Sequence, residues 1–93
     1  MTFRVIWLYN ALNALAASYL YARRKNQDPD AITRAMARID TVLQSNPAEV
    51  GESRSGRRRV FIENPLTVFF EVHDDEQTVV VTAMRYHTRR PSG

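Results

Sequence analysis

The spacing of apolar residues changes twice along this chain, and this order of periods limits the fold more than any other feature of the sequence. Bulky residues alternate from Thr2 to Leu8, the spacing becomes helical between about Tyr9 and Asn46, and strand-like runs follow beyond Gly56. A period of two predicts a strand, whereas apolar residues three and four apart predict an amphipathic helix. The sequence therefore predicts the element order β-α-α-β-β-β.

Two helices are predicted, separated by a short polar turn. The first ends near Arg24, where basic residues suit the negative end of the helix dipole. Asp28-Pro29 begins the second, because Asp is a favoured N-cap and Pro fits the first helical position. The apolar stripes expected to face the core are Ala11, Leu12, Leu15, Ala16, Tyr19 and Leu20 in the first helix, and Ile32, Ala35, Met36, Ile39, Val42 and Leu43 in the second.

Three strand-like runs follow a polar loop, over Arg58 to Glu63, Leu66 to His73 and Thr78 to Tyr86. The short links between them, Asn64-Pro65 and residues 74–77, predict consecutive antiparallel strands. A helix pair buries both of its stripes only when it lies over one face of a sheet. The predicted fold is therefore α+β, an antiparallel sheet with a helix hairpin packed on one face, in a single domain over residues 1–93.

Strict alternation along the strands divides them into two faces. The helix-facing set is expected to be Val60, Ile62, Val68, Phe70, Val72, Val79, Val81 and Ala83. The other face would show Arg59, Phe61, Thr67, Phe69, Glu71, Val80, Thr82, Met84 and Tyr86, and Arg58 would lie at the helix side or the rim. That second set is unusually apolar, so it is either a binding surface or the sign of a register that differs by one residue, which would exchange the two sets.

Composition narrows the class of protein. The chain is 44% hydrophobic, which indicates a folded globule, and it has no cysteine for a disulfide, a thiol nucleophile or a Cys-based zinc site. Its apolar stretches are too short for a transmembrane helix, and no signal peptide is recognisable, so a cytoplasmic protein without membrane contact is expected. Lys25 is the only lysine among 13 basic residues. The arginines are either solubilising charge or an anion-binding face, for which guanidinium groups are suited.

The residues support one kind of chemistry without a self-evident motif. The two histidines, His73 and His87, lie in different strands, so neither a metal site nor a cofactor is expected. Cleavage of RNA by its own 2′-hydroxyl requires only a base, an acid and positive charge at the phosphate. The groups that could supply these are Arg57, Arg58, Arg59, Arg85, Tyr86, His87 and Arg89. The alternative is an edge tyrosine, an exposed histidine at a strand end and solvated arginines.

The order and lengths of these segments resemble the RelE/ParE toxins of bacterial type II toxin–antitoxin systems. Trp7 ends the first strand before a helix that contains Ala11-Leu12 and Leu15. A basic strand runs from Arg57 to Ile62, the next strand is Val68–Val72, and the last one closes in His87…Arg90. The resemblance covers residues 3 to 90.

The resemblance implies candidate site residues. RelE-like nucleases take basic residues from the second strand, an arginine from the third and a basic or aromatic pair from the last. Thr67 stands nearest to the expected third-strand arginine in this chain. The predicted catalytic residues are Arg59, Arg85, Tyr86 and His87, and the predicted substrate-binding residues are Arg57, Arg58, Arg89 and Arg90.

The resemblance also implies function and partners. RelE relatives cleave messenger RNA in the ribosome, whereas ParE relatives inhibit DNA gyrase. We expect an mRNA-cleaving endoribonuclease toxin whose partners are the ribosome with its mRNA and a cognate antitoxin. The alternatives are a gyrase inhibitor or a non-catalytic interaction module of the same fold. The antitoxin is expected to cover exposed apolar residues, either Phe61, Phe69 and Met84 or the outer side of the helix pair.

Overall fold

A computed structural model describes residues 2–87, which fold as two helices packed on one face of a five-stranded sheet. The elements are β1 (Arg4–Trp7), α1 (Tyr9–Arg24), α2 (Pro29–Ser45), β2 (Glu52–Ser53), β3 (Arg58–Glu63), β4 (Leu66–His73) and β5 (Thr78–Tyr86). The predicted α+β class, helix hairpin and order of elements are confirmed. The structure adds the two-residue strand β2 within the predicted loop.

The sheet is mixed, with the strand order β1-β5-β4-β3-β2. The strands β2 to β5 are antiparallel neighbours, whereas β1 lies parallel to β5, from Arg4 opposite Thr78 to Trp7 opposite Val81. A parallel neighbour requires a long crossover connection, and here α1 and α2 lie within that connection. The helices therefore cover one face of the sheet, and residues 2–87 leave the opposite face open.

The second helix follows its predicted pattern closely. The Asp28 carboxylate accepts a hydrogen bond from the backbone N–H of Asp30 at 3.0 Å, and Pro29 occupies the first helical position. The helix ends at Ser45, and Asn46 is its C-cap, directly before Pro47. Its buried residues are Ile32, Ala35, Ile39 and Leu43, four members of the predicted stripe.

The core lies between this helix pair and the two central strands. Leu66, Val68, Phe70 and Val72 alternate along β4 toward the helices, and all four are buried. The neighbouring strand adds Val79, Val81 and Met84. Partly buried residues that pack against this core are Phe3, Val5, Trp7, Ala14, Leu15, Met36, Val50, Phe61 and Tyr86.

The predicted register of β3 was wrong by one residue. The two-residue link places Glu63 opposite Leu66 and Phe61 opposite Val68, so Phe61 shares the helix-facing side with the core. Glu63 confirms this side, because its carboxylate forms a 2.9 Å ion pair with Arg38 of α2. The structure places Arg59, Phe61 and Glu63 toward the helices and Arg58, Val60 and Ile62 on the open face, the reverse of the expectation.

The second half of β5 is also shifted, by a β-bulge. Phe70 lies opposite Val81 whereas Phe69 lies opposite Ala83, so Thr82 is an extra residue in the ladder. The Thr82 hydroxyl donates a 3.1 Å hydrogen bond to the Phe69 carbonyl. Beyond the bulge the two faces exchange, and Met84 and Tyr86 turn toward the helices while Ala83 and Arg85 turn to the open face, contrary to the predicted alternation.

Candidate functional site

One cluster of side chains lies on the open face of the sheet, where β4 begins and β5 ends. It is formed by Thr67, Phe69, Arg85 and His87. Arg85 lies opposite Thr67, and its guanidinium carbon is 5.7 Å from the centroid of the Phe69 ring. This distance is that of a cation–π contact, which holds the guanidinium over the sheet. We call these four residues the Thr67–His87 cluster.

Two hydrogen-bonding contacts hold His87, one through its side chain and one through its backbone. Its imidazole Nε2 lies 2.7 Å from the Thr67 hydroxyl, and its backbone N–H donates a 2.8 Å hydrogen bond to the Pro65 carbonyl. Thr67 is only 6% exposed, whereas His87 is exposed. An imidazole can accept or donate a proton, and Arg85, two residues earlier in the chain, carries a permanent positive charge over Phe69. The cluster therefore combines a proton-exchanging group with a cation that can bind a phosphate.

A second cluster lies at the opposite end of β4 and contains Arg57, Arg58, Glu71 and His73. Arg57 Nη1 is 2.7 Å from His73 Nδ1, and His73 Nε2 is 3.3 Å from a Glu71 carboxylate oxygen. A guanidinium group only donates, so Nδ1 accepts and the ring proton lies on Nε2, directed to Glu71. Both ring nitrogens of His73 are therefore engaged by charged side chains. We call these four residues the Arg57–His73 cluster.

The Arg57–His73 cluster borders a shallow depression in the surface. Its lining residues are Ser55, Gly56, Arg57, Arg58 and Glu71. Arg58 lies opposite Glu71, four residues along β4 from the Thr67–Arg85 pair. At about 3.3 Å per strand residue, the two clusters are separated by about 13 Å. They form two charged ends of one face rather than a single pocket.

Two predicted catalytic residues do not reach this face. Arg59 points to the helix side, where its Nε donates a 3.1 Å hydrogen bond to the Val50 carbonyl and its Nη2 lies 3.5 Å from the Gly51 carbonyl. The Arg59 guanidinium therefore binds the loop at Val50 and Gly51 and does not contribute to the Thr67–His87 cluster.

Tyr86 is the second predicted catalytic residue that does not reach the open face. It packs edge-on against Tyr21 of α1, with ring centroids 6.2 Å apart. Burial, followed by the nearby Tyr21 and Asp28, raises the pKa of the Tyr86 hydroxyl above its ordinary value. The Tyr86 ring therefore lies on the helix side, away from the open face that carries His87.

The other predicted site residues divide between the two clusters. Arg85 and His87 come together, Arg57 and Arg58 lie at the far end, and Arg89 and Arg90 fall outside the described residues. Alternation along the strands predicted Thr67 on the open face, where it stands nearest to the expected arginine, but its contact with His87 was not predicted. The pairing of Thr67 with Arg85 would have indicated the contact. Counting residues back from the turn between β4 and β5 does not give this pairing, because the bulge at Thr82 shifts the register by one residue. Residues 2–87 hold no group of three or more His, Asp or Glu side chains placed to bind a metal ion.

The first helix buries a face of small residues. Ala11, Ser18 and Ala22 are its buried residues, and Ser18 donates a 2.7 Å hydrogen bond to the Ala14 carbonyl. Leu15 also packs against the core, but Leu12, Tyr19 and Leu20 of this helix are exposed. The expected core stripe was therefore wrong for Leu12, Ala16, Tyr19 and Leu20.

These outward residues form a continuous strip, which we define as Tyr9, Leu12, Ala16, Tyr19 and Leu20 and call the α1 strip. Tyr9 is 82% exposed and Leu20 is 58% exposed. A shallow depression beside the strip is lined by Ala17, Leu20, Arg23 and Arg24. Exposed apolar surface bordered by charge is typical of a protein interaction site. In contrast, Phe61 packs against the core and Met84 is buried, so these two residues are not part of such a surface.

Neither helix among the described residues has the length and apolar character needed to span a bilayer. A comparison with protein-family models gives no match, and a comparison with curated protein sequences gives no significant one.

Solved structures share the fold. A structure of the chromosomal ParDE toxin–antitoxin system from P. aeruginosa superposes with a TM-score of 0.72 at 15% identity, over 92% of this chain and 97% of the other. The RelBE2 toxin–antitoxin complex from Mycobacterium tuberculosis gives a TM-score of 0.71 at 14% identity, over 94% and 93%. The isolated E. coli RelE toxin gives 0.64 at 13% identity, over 95% and 87%. The RelE/ParE-like fold predicted from the sequence is confirmed.

Proposed function

We propose that this protein is the toxin of a type II toxin–antitoxin pair, that it inhibits translation in the cytoplasm by cleaving ribosome-associated mRNA, and that a cognate antitoxin neutralises it. The observation that carries the proposal is the Thr67–His87 cluster. An imidazole and a guanidinium share a solvent-open sheet face there, in a fold shared with RelE and ParE toxins.

The chemistry needs few groups. His87 takes the proton of an RNA 2′-hydroxyl, the freed oxygen attacks the adjacent phosphorus, and the bond from phosphorus to the 5′-oxygen breaks. The leaving oxygen takes a proton from water, and the products are a 2′,3′-cyclic phosphate and a 5′-hydroxyl. Arg85 stabilises the negative charge that develops on the phosphate.

The Arg57–His73 cluster supplies the second contact with the strand. Arg58 lies four residues along β4 and two strands across the sheet from Arg85, a backbone separation of about 16 Å. One extended single strand could contact both residues through phosphates two to three nucleotides apart. Phe69 lies between the two ends on the same face. A single strand fits this flat surface, since exposed bases can stack on aromatic or guanidinium planes.

The α1 strip is the surface we assign to the antitoxin. Its apolar residues continue into the basic last turn, Arg23 and Arg24, and α1 has no acidic residue in its first turn. An amphipathic segment with acidic residues beside its apolar face would match both features. A segment that is disordered alone can fold against such a helix.

Inhibition of DNA gyrase is the second candidate function. Arg59 and Tyr86 face the helices instead of the open face, which leaves the described part of the site with fewer catalytic groups than predicted. The fold also superposes closely on a ParDE structure.

Induced expression in a bacterium separates these functions when mRNA integrity and plasmid supercoiling are followed together. Messenger fragmentation with normal supercoiling is expected, and His87→Gln and Arg85→Gln should abolish it. Arg34→Gln is the matched control, because Arg34 is an exposed arginine of α2 that pairs only with Asp28 within the described residues. Loss of supercoiling with intact messengers would support the gyrase inhibitor, and normal growth would support a non-catalytic module.

The antitoxin surface has its own test. Leu20→Glu should leave the fold and toxicity unchanged, because Leu20 is 58% exposed, but it should prevent rescue by the co-expressed protein of an adjoining gene. Thr33→Glu on the exposed side of α2 is the control and should allow rescue. Equal rescue of both variants would show that the antitoxin docks elsewhere.

A further inference from the structure

Thr67 occupies the position where the resemblance leads one to expect an arginine, yet it cannot replace an arginine at a phosphate. It is 6% exposed, and it lies opposite Arg85 in the ladder between β4 and β5. Arg85 therefore already provides the positive charge at this level of the sheet. The Thr67 hydroxyl instead contacts the ring of His87.

This contact occupies one nitrogen of the imidazole. Thr67 Oγ1 lies 2.7 Å from His87 Nε2, and the backbone bond from His87 to Pro65 fixes the start of the side chain. A threonine hydroxyl can accept from a protonated ring nitrogen or donate to an unprotonated one, so the contact itself fits either tautomer. With Nε2 held by Thr67, Nδ1 is the ring nitrogen left for a substrate.

We infer that Thr67 is a positioning residue that accepts the Nε2–H of His87, so that Nδ1 gains and loses the proton during cleavage. The inference rests on the proposed RNA-cleaving function. A base that acts through Nδ1 must carry its own proton on Nε2, and the protonated ring also carries one there. The same Nε2–H···Oγ1 bond therefore serves both states, and the ring need not turn between them.

The proton step follows from this arrangement. The 2′-hydroxyl proton moves to the lone pair of Nδ1 as the oxygen attacks phosphorus, and the ring becomes an imidazolium with its Nε2–H still on Thr67. The imidazolium later returns the Nδ1 proton to water. A hydroxyl that merely filled space beside the ring would leave either nitrogen free to act.

The first experiment observes the ring without RNA. Long-range nitrogen–proton NMR of the full chain, labelled at histidine, reports which nitrogen of neutral His87 is protonated. We expect neutral His87 to be protonated at Nε2 in the unsubstituted protein and in Thr67→Ser. Thr67→Val keeps the shape of the side chain but removes the hydroxyl, so both singly protonated forms of the ring should be populated in that variant. Protonation at Nδ1 in the unsubstituted protein would overturn the inference.

The second experiment measures turnover on mRNA-programmed ribosomes. Thr67→Val should lower kcat by roughly 10- to 100-fold with KM unchanged, the scale of a misplaced catalytic group, and Thr67→Ser should restore it. Cleavage at full rate by a folded Thr67→Val protein would overturn the role of Thr67 alone. No cleavage by the unsubstituted protein would overturn the proposed function, and the role of Thr67 with it.

Discussion

Arg58 and Arg59 are neighbours in sequence and should behave in opposite ways when either is replaced by alanine. Arg59→Ala removes the hydrogen bond from Nε to the half-buried Val50 carbonyl at 3.1 Å. Hydrogen bonds to charged groups contribute about 1.5–3 kcal/mol. Because this guanidinium remains partly solvated, we expect the free energy of unfolding to fall by about 1–2 kcal/mol. For a domain of this size that loss lowers Tm by roughly 4–16 °C.

Arg58→Ala should leave stability within about 0.5 kcal/mol, because Arg58 is exposed on the open face. If Arg58 contacts a phosphate, its loss should reduce the slope of log affinity against log salt by about 0.7 for single-stranded RNA. Arg59→Ala should leave that slope unchanged, since its charge faces the loop before β3.

Urea unfolding followed by circular dichroism measures the first quantity. Fluorescence anisotropy of a labelled oligouridylate at several salt concentrations measures the second. The reasoning fails if Arg59→Ala keeps the unfolding midpoint and flattens the salt slope. Equal slopes in all three proteins would show that neither arginine contacts the RNA.

Three further perturbations test the fold around the site. Gly51→Ala should destabilise the protein by well over 1 kcal/mol, because its φ is 69° and an added Cβ would overlap the β3 backbone. Gly56→Ala should cost only about 1 kcal/mol, because its φ of 67° is similar but the space around it is open. Chemical unfolding of the two variants compares these losses. Phe70→Ala should cost about 3–5 kcal/mol and Ile62→Ala, at a side chain 63% exposed, less than about 0.5 kcal/mol, so equal losses of stability would contradict the assigned faces. Because the pKa of the Tyr86 hydroxyl is raised in the folded protein, the unfolded chain loses the phenol proton at lower pH than the folded one. The free energy of unfolding should therefore fall as pH rises above about 10. Unfolding curves at about pH 9 and 11 should show a smaller decrease for Tyr86→Phe than for the unsubstituted protein.

The order of elements was predictable because its signals are local. The change of period at Tyr9, the Asp28-Pro29 start and the Asn46-Pro47 stop each depend on a few adjacent residues. The register of β3 was also available, since a two-residue link places Glu63 opposite Leu66 and therefore Phe61 beside the core. That error came from aligning apolar residues instead of counting from the turn.

The bulge in β5 was not available from the sequence. Thr82 is an ordinary strand residue, and no glycine or proline marks the extra position. The first helix was misread for a different reason, because the face with the larger apolar side chains was assumed to be the buried one. In the structure, small residues such as Ala11 and Ala22 pack inward, and Leu12 and Leu20 remain exposed. Hydrophobicity alone does not distinguish a core stripe from an interface stripe.

The single extra residue at Thr82 decides which side chains can act on the open face. Without it, Met84 and Tyr86 would lie on the open face and Arg85 would point to the helices, as strict alternation predicts. With it, Tyr86 packs against Tyr21, and Arg85 lies over Phe69 on the open face. The bulge thus exchanges a tyrosine for an arginine on the open face, and the nearly buried Thr67 becomes the partner of His87 in place of an arginine. The bulge therefore sets which cation stands beside Thr67, because Arg85, in the shifted half of β5, lies opposite Thr67 of β4.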